Sequence, residues 1–170
     1  MPHRKQNDFL TCYIRLATLS DLTSLVAIEQ AVFPETHFHC MTRRQYQYAL
    51  TKANAQVYVL DGVDGVVASM VLFFRNASNY SRLYSIAVSE MYQSRGWGMY
   101  LLQYAEQVSL KMGLLFLRQE VRADNQKLLD RYAKNGYVTS GVGKSYYPDG
   151  GDCIKLIKEL KYDKLYSGYG

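Results

Sequence analysis

The feature that most constrains the fold is Gln93-Ser-Arg-Gly-Trp-Gly98, a segment with two glycines between two different patterns. Residues 82–88 before it have the composition of a strand, whereas the apolar residues between 101 and 112 after it have helical spacing. A further strand pattern covers residues 115–121, just beyond Gly113, which occupies the position of a helix C-terminal cap. A strand–helix–strand unit of this kind predicts that the two strands lie parallel in one sheet.

The other periodic segments surround this unit in a regular order. Strand patterns cover residues 13–17, 56–60, 66–74, 137–143 and 153–160, and the second and third form a hairpin around Asp61-Gly62 and Asp64-Gly65. Helix patterns run from Thr18 to residue 32, over residues 43–53, and from Asn125 to Gly136. The predicted order is β-α-α-β-β-β-α-β-α-β-β. The fold class is therefore α/β (α+β), with a mixed, mostly antiparallel sheet of about seven strands flanked by four helices.

Length and composition favour one domain. The chain has 170 residues, which suits a single domain over 1–170 with a core at about 12–160 and a loosely held tail at 161–170. Residues 1–10 lack the apolar stretch of a secretory signal, and nowhere do about 18 apolar residues run together as a membrane-spanning helix requires. Cys12, Cys40 and Cys153 are scattered and odd in number, which is typical of reduced thiols. We therefore expect a cytoplasmic protein without a membrane partner.

The net charge of +5 favours an anionic partner, either nucleic acid or a phosphorylated cofactor. The 16 tyrosines could form a stacking surface for nucleic acid, but they are spread along the chain rather than grouped with lysine and arginine. Nucleic acid is therefore the less favoured partner. His37, His39 and Cys40 are close in sequence, but a fourth zinc ligand is missing nearby, so no metal is predicted.

The glycines of residues 93–98 let backbone N–H groups approach a ligand closely, and the helix N-terminus adds a partial positive charge. This arrangement suits a pyrophosphate, although an ordinary strand-to-helix turn explains the glycines equally well. A dinucleotide-binding fingerprint is excluded because Tyr100 and Leu101 occupy the region of its third glycine. Gly143-Lys144-Ser145 resembles the end of a nucleotide-triphosphate loop, but Val138 occupies the position of that loop's first glycine.

Three motifs in the chain form a recognisable set. The first is Gln93-x-x-Gly96-x-Gly98 after Ile86-Ala87-Val88. The second is Glu120-Val-Arg-Ala-Asp-Asn125, then Tyr132 and Gly136-Tyr137, and the third is Tyr146-Tyr147-Pro148-Asp149. Together they resemble the GNAT superfamily of N-acetyltransferases, with its signatures Q/R-x-x-G-x-G/A and E-V-R-x-x-N…L-Y-x-x-x-G-F. The combination is similar to the RimI-like ribosomal-protein-alanine N-acetyltransferases over residues 14–160. It implies the GNAT acyl-CoA N-acyltransferase fold and acetyl-CoA as co-substrate.

The resemblance assigns cofactor binding to three parts of the chain. The pyrophosphate loop consists of Gln93, Ser94, Arg95, Gly96, Trp97, Gly98 and Met99. Ile86, Ala87 and Val88 present backbone groups to the pantetheine arm, among them an N–H that faces the thioester carbonyl. Asn125 contacts the cofactor in the family, and a helix N-cap is an equally good account of this residue.

The resemblance also implies the catalytic residues. Glu120 is the general base for the amine, and Tyr132 donates a proton to the departing coenzyme A thiolate. From spacing alone, Glu120 is more simply a strand-end carboxylate paired with Arg118 or Arg122, which share its face, and only the resemblance reverses that preference. Tyr132 has helical spacing that suits a core tyrosine equally well.

Tyr146 and Tyr147 are predicted to border the acceptor groove, and covering a hairpin is an equal alternative. The predicted reaction moves the acetyl group directly to a primary amine, foremost the N-terminal amine of a protein or peptide, without a covalent enzyme intermediate. Two other functions stay open, which are acetylation of a small-molecule amine and a non-catalytic role in acyl-CoA-dependent regulation. Either a monomer or a homodimer is compatible with the sequence.

Overall fold

The computed structural model describes residues 11–162, which form seven strands and four α-helices in the predicted order. The strands are β1 (Tyr13–Leu16), β2 (Ala55–Gly62), β3 (Gly65–Phe74), β4 (Tyr80–Val88), β5 (Phe116–Arg122), β6 (Val138–Gly143) and β7 (Cys153–Glu159). The helices are α1 (Leu22–Val32), α2 (Arg43–Thr51), α3 (Trp97–Lys111) and α4 (Gln126–Lys134). The predicted and observed ends of these strands and helices differ by a few residues. The predictions for residues 1–10 and for tail residues 163–170 lie outside the described range.

The strands form one mixed sheet in the order β1-β2-β3-β4-β5-β7-β6. All neighbouring strands are antiparallel except β4 and β5, which are parallel as the strand–helix–strand pattern predicts. The β2–β3 hairpin closes where Gly62 pairs with Gly65, and Gly65 has a φ of +103°. Glycine adopts this positive φ without steric cost, so the predicted hairpin is confirmed together with its physical reason.

Helices cover both faces of the sheet. On the α3 face, Leu101 and Leu102 are buried in a cluster with Leu117 of β5. On the α1–α2 face, Leu25 and Tyr46 are buried in a second cluster. Successive side chains of β2 point to opposite faces of the sheet. Tyr58 and Leu60 belong to the cluster on the α3 face, and Val57 and Val59 belong to the cluster on the α1–α2 face. The sheet is therefore the middle layer of a sandwich, and no helix within residues 11–162 combines the length and apolar character needed to cross a membrane.

Local signals begin and end the helices. The Gln45 N–H donates to Thr42 Oγ1 at 3.3 Å, and the Thr42 N–H donates to Gln45 Oε1 at 2.8 Å, which forms a capping box at the start of α2. Gly113 and Gly136 follow α3 and α4 with φ values of +77° and +89°. This left-handed backbone ends each helix where the sequence predicts.

The parallel strands β4 and β5 pair only at their first residues. Their register joins Tyr80 with Phe116, Ser81 with Leu117, and Arg82 with Arg118. Beyond these pairs, β4 continues along β3 and β5 continues along β7. The sheet is therefore open between residues 83–88 and 119–122, at the carboxyl ends of two parallel strands, where ligands commonly bind.

Candidate active site

A cavity of about 190 Å³ lies in the opening between β4 and β5. Its walls come from these strands, from α4, from the end of α1 with the connection between α1 and α2, and from the turn between β6 and β7. The predicted site residues that line it are Ile86, Glu120, Asn125, Tyr132, Tyr146 and Tyr147. Folding therefore brings together side chains from five separate parts of the sequence.

A β-bulge in β4 helps to shape this cavity. The register between β3 and β4 shifts between Val71 and Leu72 and leaves Tyr84 as the extra residue. Tyr84 packs against the α1–α2 cluster, and the next residue, Ser85, donates a hydrogen bond to α1 at 3.3 Å. Ile86 then packs against the α3 cluster. Two successive side chains thus point to the α1–α2 face, where a regular strand would place only one.

Glu120 of β5 is held by an ion pair that the sequence did not indicate. Arg82 Nε donates to Glu120 Oε2 at 3.1 Å, and Arg82 Nη2 donates to the Tyr146 hydroxyl at 3.1 Å. The Glu120 side chain is 21% exposed and the Arg82 side chain 36% exposed. The carboxylate is therefore accessible from the cavity and is oriented by an arginine on the neighbouring strand.

The alternative pairing of Glu120 with Arg118 or Arg122 is wrong. The Arg118 guanidinium carbon lies 3.9 Å from the centre of the Tyr80 ring. Arg122 Nη2 donates to Asp149 Oδ2 at 2.8 Å. Both arginines share a face with Glu120, as the strand period predicts, but each is engaged by another partner.

Tyr132 of α4 reaches the cavity from the α3 face. It is buried, and its ring packs edge-on against Tyr137 with the ring centres 5.3 Å apart. Burial raises the pKa of its hydroxyl to about 12, although Arg131 and the neighbouring Gln119 act in the opposite direction. The hydroxyl therefore keeps its proton at neutral pH, which is the state that a proton donor needs. Tyr132 is a core tyrosine and a cavity residue at once.

The glycine loop makes a tight turn between β4 and α3. Ser94 and Gly96 have φ values of +60° and +86°. A Cβ added at Gly98 would meet no heavy atom within 4 Å, so the space beside the first turn of α3 is open. The Gln93 side chain donates to the Val88 carbonyl at 2.8 Å and ties the loop to β4. The first N–H groups of a helix have no acceptor within the helix, so this end of α3 suits an anion.

Three other residues of the loop make contacts of their own. The Arg95 guanidinium carbon lies 5.4 Å from the centre of the Tyr92 ring, and the Trp97 and Tyr100 rings pack edge-on at 5.5 Å. Met99 packs against the α3 cluster. None of the three predicted residues Arg95, Trp97 and Met99 lines the β4–β5 cavity.

The end of β4 offers an unpaired strand edge. Ile86, Ala87 and Val88 pair with β3 on one side. On the other side, the parallel register with β5 ends at Arg82, so no described residue of β5 pairs with them. An extended ligand could add here as an extra strand through backbone hydrogen bonds.

Asn125 is the N-cap of α4, as one of its two interpretations predicts. Its Oδ1 accepts a hydrogen bond from the Leu128 N–H at 3.2 Å. Because Asn125 also lines the cavity, capping does not exclude a ligand contact. That contact stays a prediction.

The α1–α2 connection and the β6–β7 turn meet beside the cavity. His39 Nε2 donates to the Tyr146 carbonyl at 2.8 Å, and the rings of Phe38 and Tyr147 pack edge-on at 5.6 Å. Arg122 Nη1 also donates to a carbonyl of the α1–α2 connection at 2.8 Å. Tyr146 and Tyr147 are therefore part of the cavity wall, in addition to covering the hairpin.

A buried carboxylate, Glu29 of α1, was not predicted from the sequence. It accepts hydrogen bonds from the Met41 N–H at 3.2 Å, the Tyr46 hydroxyl at 2.9 Å and the Ser85 hydroxyl at 3.3 Å. Burial nevertheless raises its pKa. The sequence did contain a sign of this burial, because Glu29 follows Leu25 by four residues and therefore lies on the apolar side of α1.

Two further cavity residues, Arg82 and Gln119, were also missed. Nothing near Arg82 in sequence indicates its partner, because Glu120 lies on a strand 38 residues later. Gln119 did carry a signal, since it is a polar residue between Leu117 and Val121 on the buried side of β5.

The histidines and the cysteine considered for zinc make other contacts. His39 binds the Tyr146 carbonyl, and Cys40 Sγ donates to the Phe33 carbonyl at 2.8 Å. Within residues 11–162, no three His, Cys, Asp or Glu side chains are grouped so that they could hold a metal ion.

A cleft between diverging parallel strands that holds a carboxylate and a protonated tyrosine, next to a glycine loop at a helix N-terminus, is compatible with a coenzyme A-dependent acyltransferase. The profile of the Acetyltransferase (GNAT) family matches residues 22–137, which is more than half of the chain. The chain therefore belongs to the GNAT family and is an acetyl-CoA-dependent N-acetyltransferase. The resemblance found in the sequence is confirmed.

Curated relatives are similar over most of their length. An N-alpha-acetyltransferase of Sulfolobus acidocaldarius is 28% identical in an alignment that covers 86% of this chain and 92% of the relative. The N-terminal acetyltransferase A complex catalytic subunit of Arabidopsis thaliana is 26% identical in an alignment that covers 87% of this chain and 78% of the relative.

Solved structures share the fold. The ribosomal-protein-S18-alanine N-acetyltransferase from Escherichia coli superposes with a TM-score of 0.78 at 23% identity, over 88% of this chain and 94% of the other. A mutant spermidine N-acetyltransferase from Vibrio cholerae superposes with a TM-score of 0.76 at 13% identity, over 93% and 98% of the two chains. Enzymes for protein and for small-molecule acceptors thus share this architecture, so the fold alone does not identify the acceptor.

Proposed function

We propose that the chain transfers the acetyl group of acetyl-CoA directly to the N-terminal amine of a protein or peptide. The observation that carries this proposal is that Glu120 and Tyr132 line one cavity from opposite faces of the sheet. Glu120 lies beside Arg82, while Tyr132 belongs to the buried cluster on the α3 face. A base on the amine side and an acid on the thiolate side are what direct transfer requires.

The acyl donor, in this proposal, binds along the α3 face. Its pyrophosphate lies at the N-terminus of α3, where the backbone around Gly96 and Gly98 is accessible. The pantetheine arm continues along the unpaired edge of residues 86–88 as an extra strand, so that the sulfur comes close to Tyr132. Gln93, Ser94, Arg95, Trp97 and Met99 shape the loop, and Asn125 contacts the arm from the start of α4.

The proposed reaction begins when Glu120 takes a proton from the acceptor ammonium, directly or through water. The neutral nitrogen attacks the thioester carbonyl, and the oxyanion accepts a hydrogen bond from a backbone N–H of β4. Glu120 releases its first proton to solvent and takes the second proton from the nitrogen. The C–S bond breaks as the oxyanion returns to a carbonyl, and the Tyr132 hydroxyl gives a proton to the thiolate. The tyrosinate, whose conjugate acid has a pKa of about 12, recovers a proton from water. The products are the N-acetyl amine and coenzyme A.

Two arguments favour an N-terminal amine over a lysine or a polyamine. The two curated relatives described above are named for N-terminal or N-alpha acetylation. An α-amine has a reference pKa near 8 against about 10.4 for lysine, so deprotonating it at neutral pH costs about 3 kcal/mol less.

The first test replaces Glu120 by Gln and measures coenzyme A release with a panel of acceptors. The panel contains peptides that begin with Ala, Ser, Thr or Met, lysine peptides with blocked N-termini, and spermidine. We expect the wild type to prefer a free N-terminus and Glu120→Gln to lose about 100-fold or more in kcat, because a positioned base contributes that much. Calorimetry should show unchanged acetyl-CoA affinity.

The matched control is Glu159→Gln, at an exposed carboxylate outside the cavity, which should retain wild-type rates. Wild-type rates in Glu120→Gln would remove Glu120 as the base. Acetylation of spermidine without acetylation of any peptide would overturn the proposed acceptor, but it would not contradict the proposed roles of Glu120 and Tyr132.

A further inference from the structure

Gln119 places an amide in the apolar interior beside the cavity. It is 4% exposed and lies between Leu117 and Val121, which are buried in the cluster on the α3 face. Gln119 also lines the cavity, on the same side as Tyr132. Its amide nitrogen Nε2 is buried and has no hydrogen-bond partner among the described residues.

An unpartnered buried amide is unfavourable for folding, because the group loses its hydrogen bonds to water and gains none from protein. Leucine has a similar size and would suit this strand position without that cost. The neighbouring Tyr132 hydroxyl interacts with the Gln119 amide, and this interaction acts to lower the pKa of Tyr132, but its geometry does not satisfy Nε2 as a hydrogen-bond donor. Gln119, which lines the cavity, therefore carries an unsatisfied amide donor at an energetic cost to the folded chain.

We propose that Gln119 is a donor-binding residue, whose Nε2 gives a hydrogen bond to a carbonyl oxygen of the acylated pantetheine arm. The inference rests on the proposed binding of that arm beside Tyr132. A carbonyl lies on each side of the sulfur, since the thioester carbonyl precedes it and the amide carbonyl bonded to the cysteamine nitrogen follows it. Both offer the acceptor that an amide N–H needs. Gln119 and Tyr132 line the same cavity. An arm whose sulfur lies near Tyr132 therefore brings its two carbonyl groups near Gln119.

The test uses Gln119→Leu and measures two quantities with opposite expected signs. The melting temperature without ligand should rise, because the variant removes an unpartnered buried amide. The affinity for acetyl-CoA, measured by calorimetry, should fall about five- to tenfold, because one hydrogen bond to the ligand is lost. A purely structural role of Gln119 predicts a lower melting temperature with unchanged affinity, and this result would overturn the proposal.

Binding of acetyl-CoA and of free coenzyme A distinguishes the two carbonyls. A loss confined to acetyl-CoA assigns the bond to the thioester carbonyl, and an equal loss for both ligands assigns it to the cysteamine amide. Equal affinity of Gln119→Leu and the wild type for both ligands contradicts the proposal. Gln119→Met repeats the measurement with an unbranched side chain, in case leucine does not pack.

The control Gln47→Leu, at an exposed position of α2, should change neither affinity. Failure of the proposed function has a different signature. In that case the wild type itself would bind acetyl-CoA without acetylating any peptide, whatever the effect of Gln119→Leu on affinity.

Discussion

At the scale of single residues, the Arg82–Glu120 pair is better explained by orientation than by stability. Both side chains are partly exposed, and pairs of this kind contribute only about 0–1 kcal/mol to folding. Arg82 also donates to the Tyr146 hydroxyl, so one guanidinium links β4, β5 and the β6–β7 turn. We infer that its main effect is to hold the carboxylate of the proposed base in one direction.

The proposed acid Tyr132 leads to a prediction about pH. Because burial raises its pKa to about 12, the hydroxyl does not titrate between pH 6 and pH 9. Tyr132→Phe should therefore lower kcat by about 100- to 10,000-fold, and by the same factor at every pH in this range. The measurement is the pH dependence of kcat for the two proteins.

Two outcomes bear on this prediction. The control Tyr48→Phe changes an exposed tyrosine of α2 and should have wild-type kinetics. A ratio of wild-type to Tyr132→Phe kcat that varies systematically across the range would mean that Tyr132 titrates there, contrary to its burial.

The sequence predicted residues whose roles follow from a linear motif and missed those whose roles follow from contacts. Glu120, Asn125 and Tyr132 lie within one stretch that follows the glycine loop in a recognisable order. Arg82 acquires its importance only when β4 and β5 are adjacent. Glu29 and Gln119 interrupt buried faces, which was visible in the sequence, but the cavity that makes them interesting was not.

At the scale of elements, the divergence of β4 and β5 creates the site. The sequence predicted that the strands are parallel, because a helix joins them, and the register confirms it. It did not predict how soon they separate, since the length of a strand pair depends on tertiary contacts rather than on local composition. The bulge at Tyr84 was equally invisible, because no glycine or proline marks it.

The N-terminus of α4 offers a second prediction, which separates the two interpretations of Asn125. Asn125→Ala removes the cap and should lower the free energy of unfolding by about 1 kcal/mol, as measured by urea titration. Asn125→Asp keeps a capping oxygen and should stay within a few tenths of the wild-type value. Both variants should weaken acetyl-CoA binding, because both remove the side-chain amide donor.

A different pattern would limit Asn125 to its structural role. If Asn125→Asp binds acetyl-CoA like the wild type while Asn125→Ala loses stability alone, the residue is a helix cap and no cofactor ligand. Calorimetry below the melting temperature of each variant distinguishes the cases.

At the scale of the whole molecule, the sheet separates the two substrates. The loop at α3, the unpaired edge of β4 and Tyr132 are accessible from the α3 face, where we propose that the acyl donor binds. Glu120, Arg82 and the two meeting connections lie toward the α1–α2 face, where we propose that the amine enters. The opening between β4 and β5 is the passage that lets the two substrates meet.

This arrangement predicts that the acyl donor joins two parts of the sheet that are weakly connected without it. Within residues 11–162, strand pairing between β1–β4 and β5–β7 is limited to the three residue pairs at the start of β4 and β5. A ligand that pairs with residues 86–88 adds hydrogen bonds to this edge, and binding to the native state alone stabilises it by about 2.7 kcal/mol at 100 times Kd. Hydrogen exchange with and without coenzyme A measures where that stabilisation acts.

We expect slower exchange at residues 84–88, at the first turn of α3 and along β5, with little change in the β1–β2 pair. Amides at the α3 N-terminus would be protected by any anion that binds there, so this region alone does not test the arrangement. The decisive amides are those of β4 that face away from β3. Unchanged exchange at these amides in saturating coenzyme A would show that the donor does not add as a strand, and the passage between the two faces would then need another explanation.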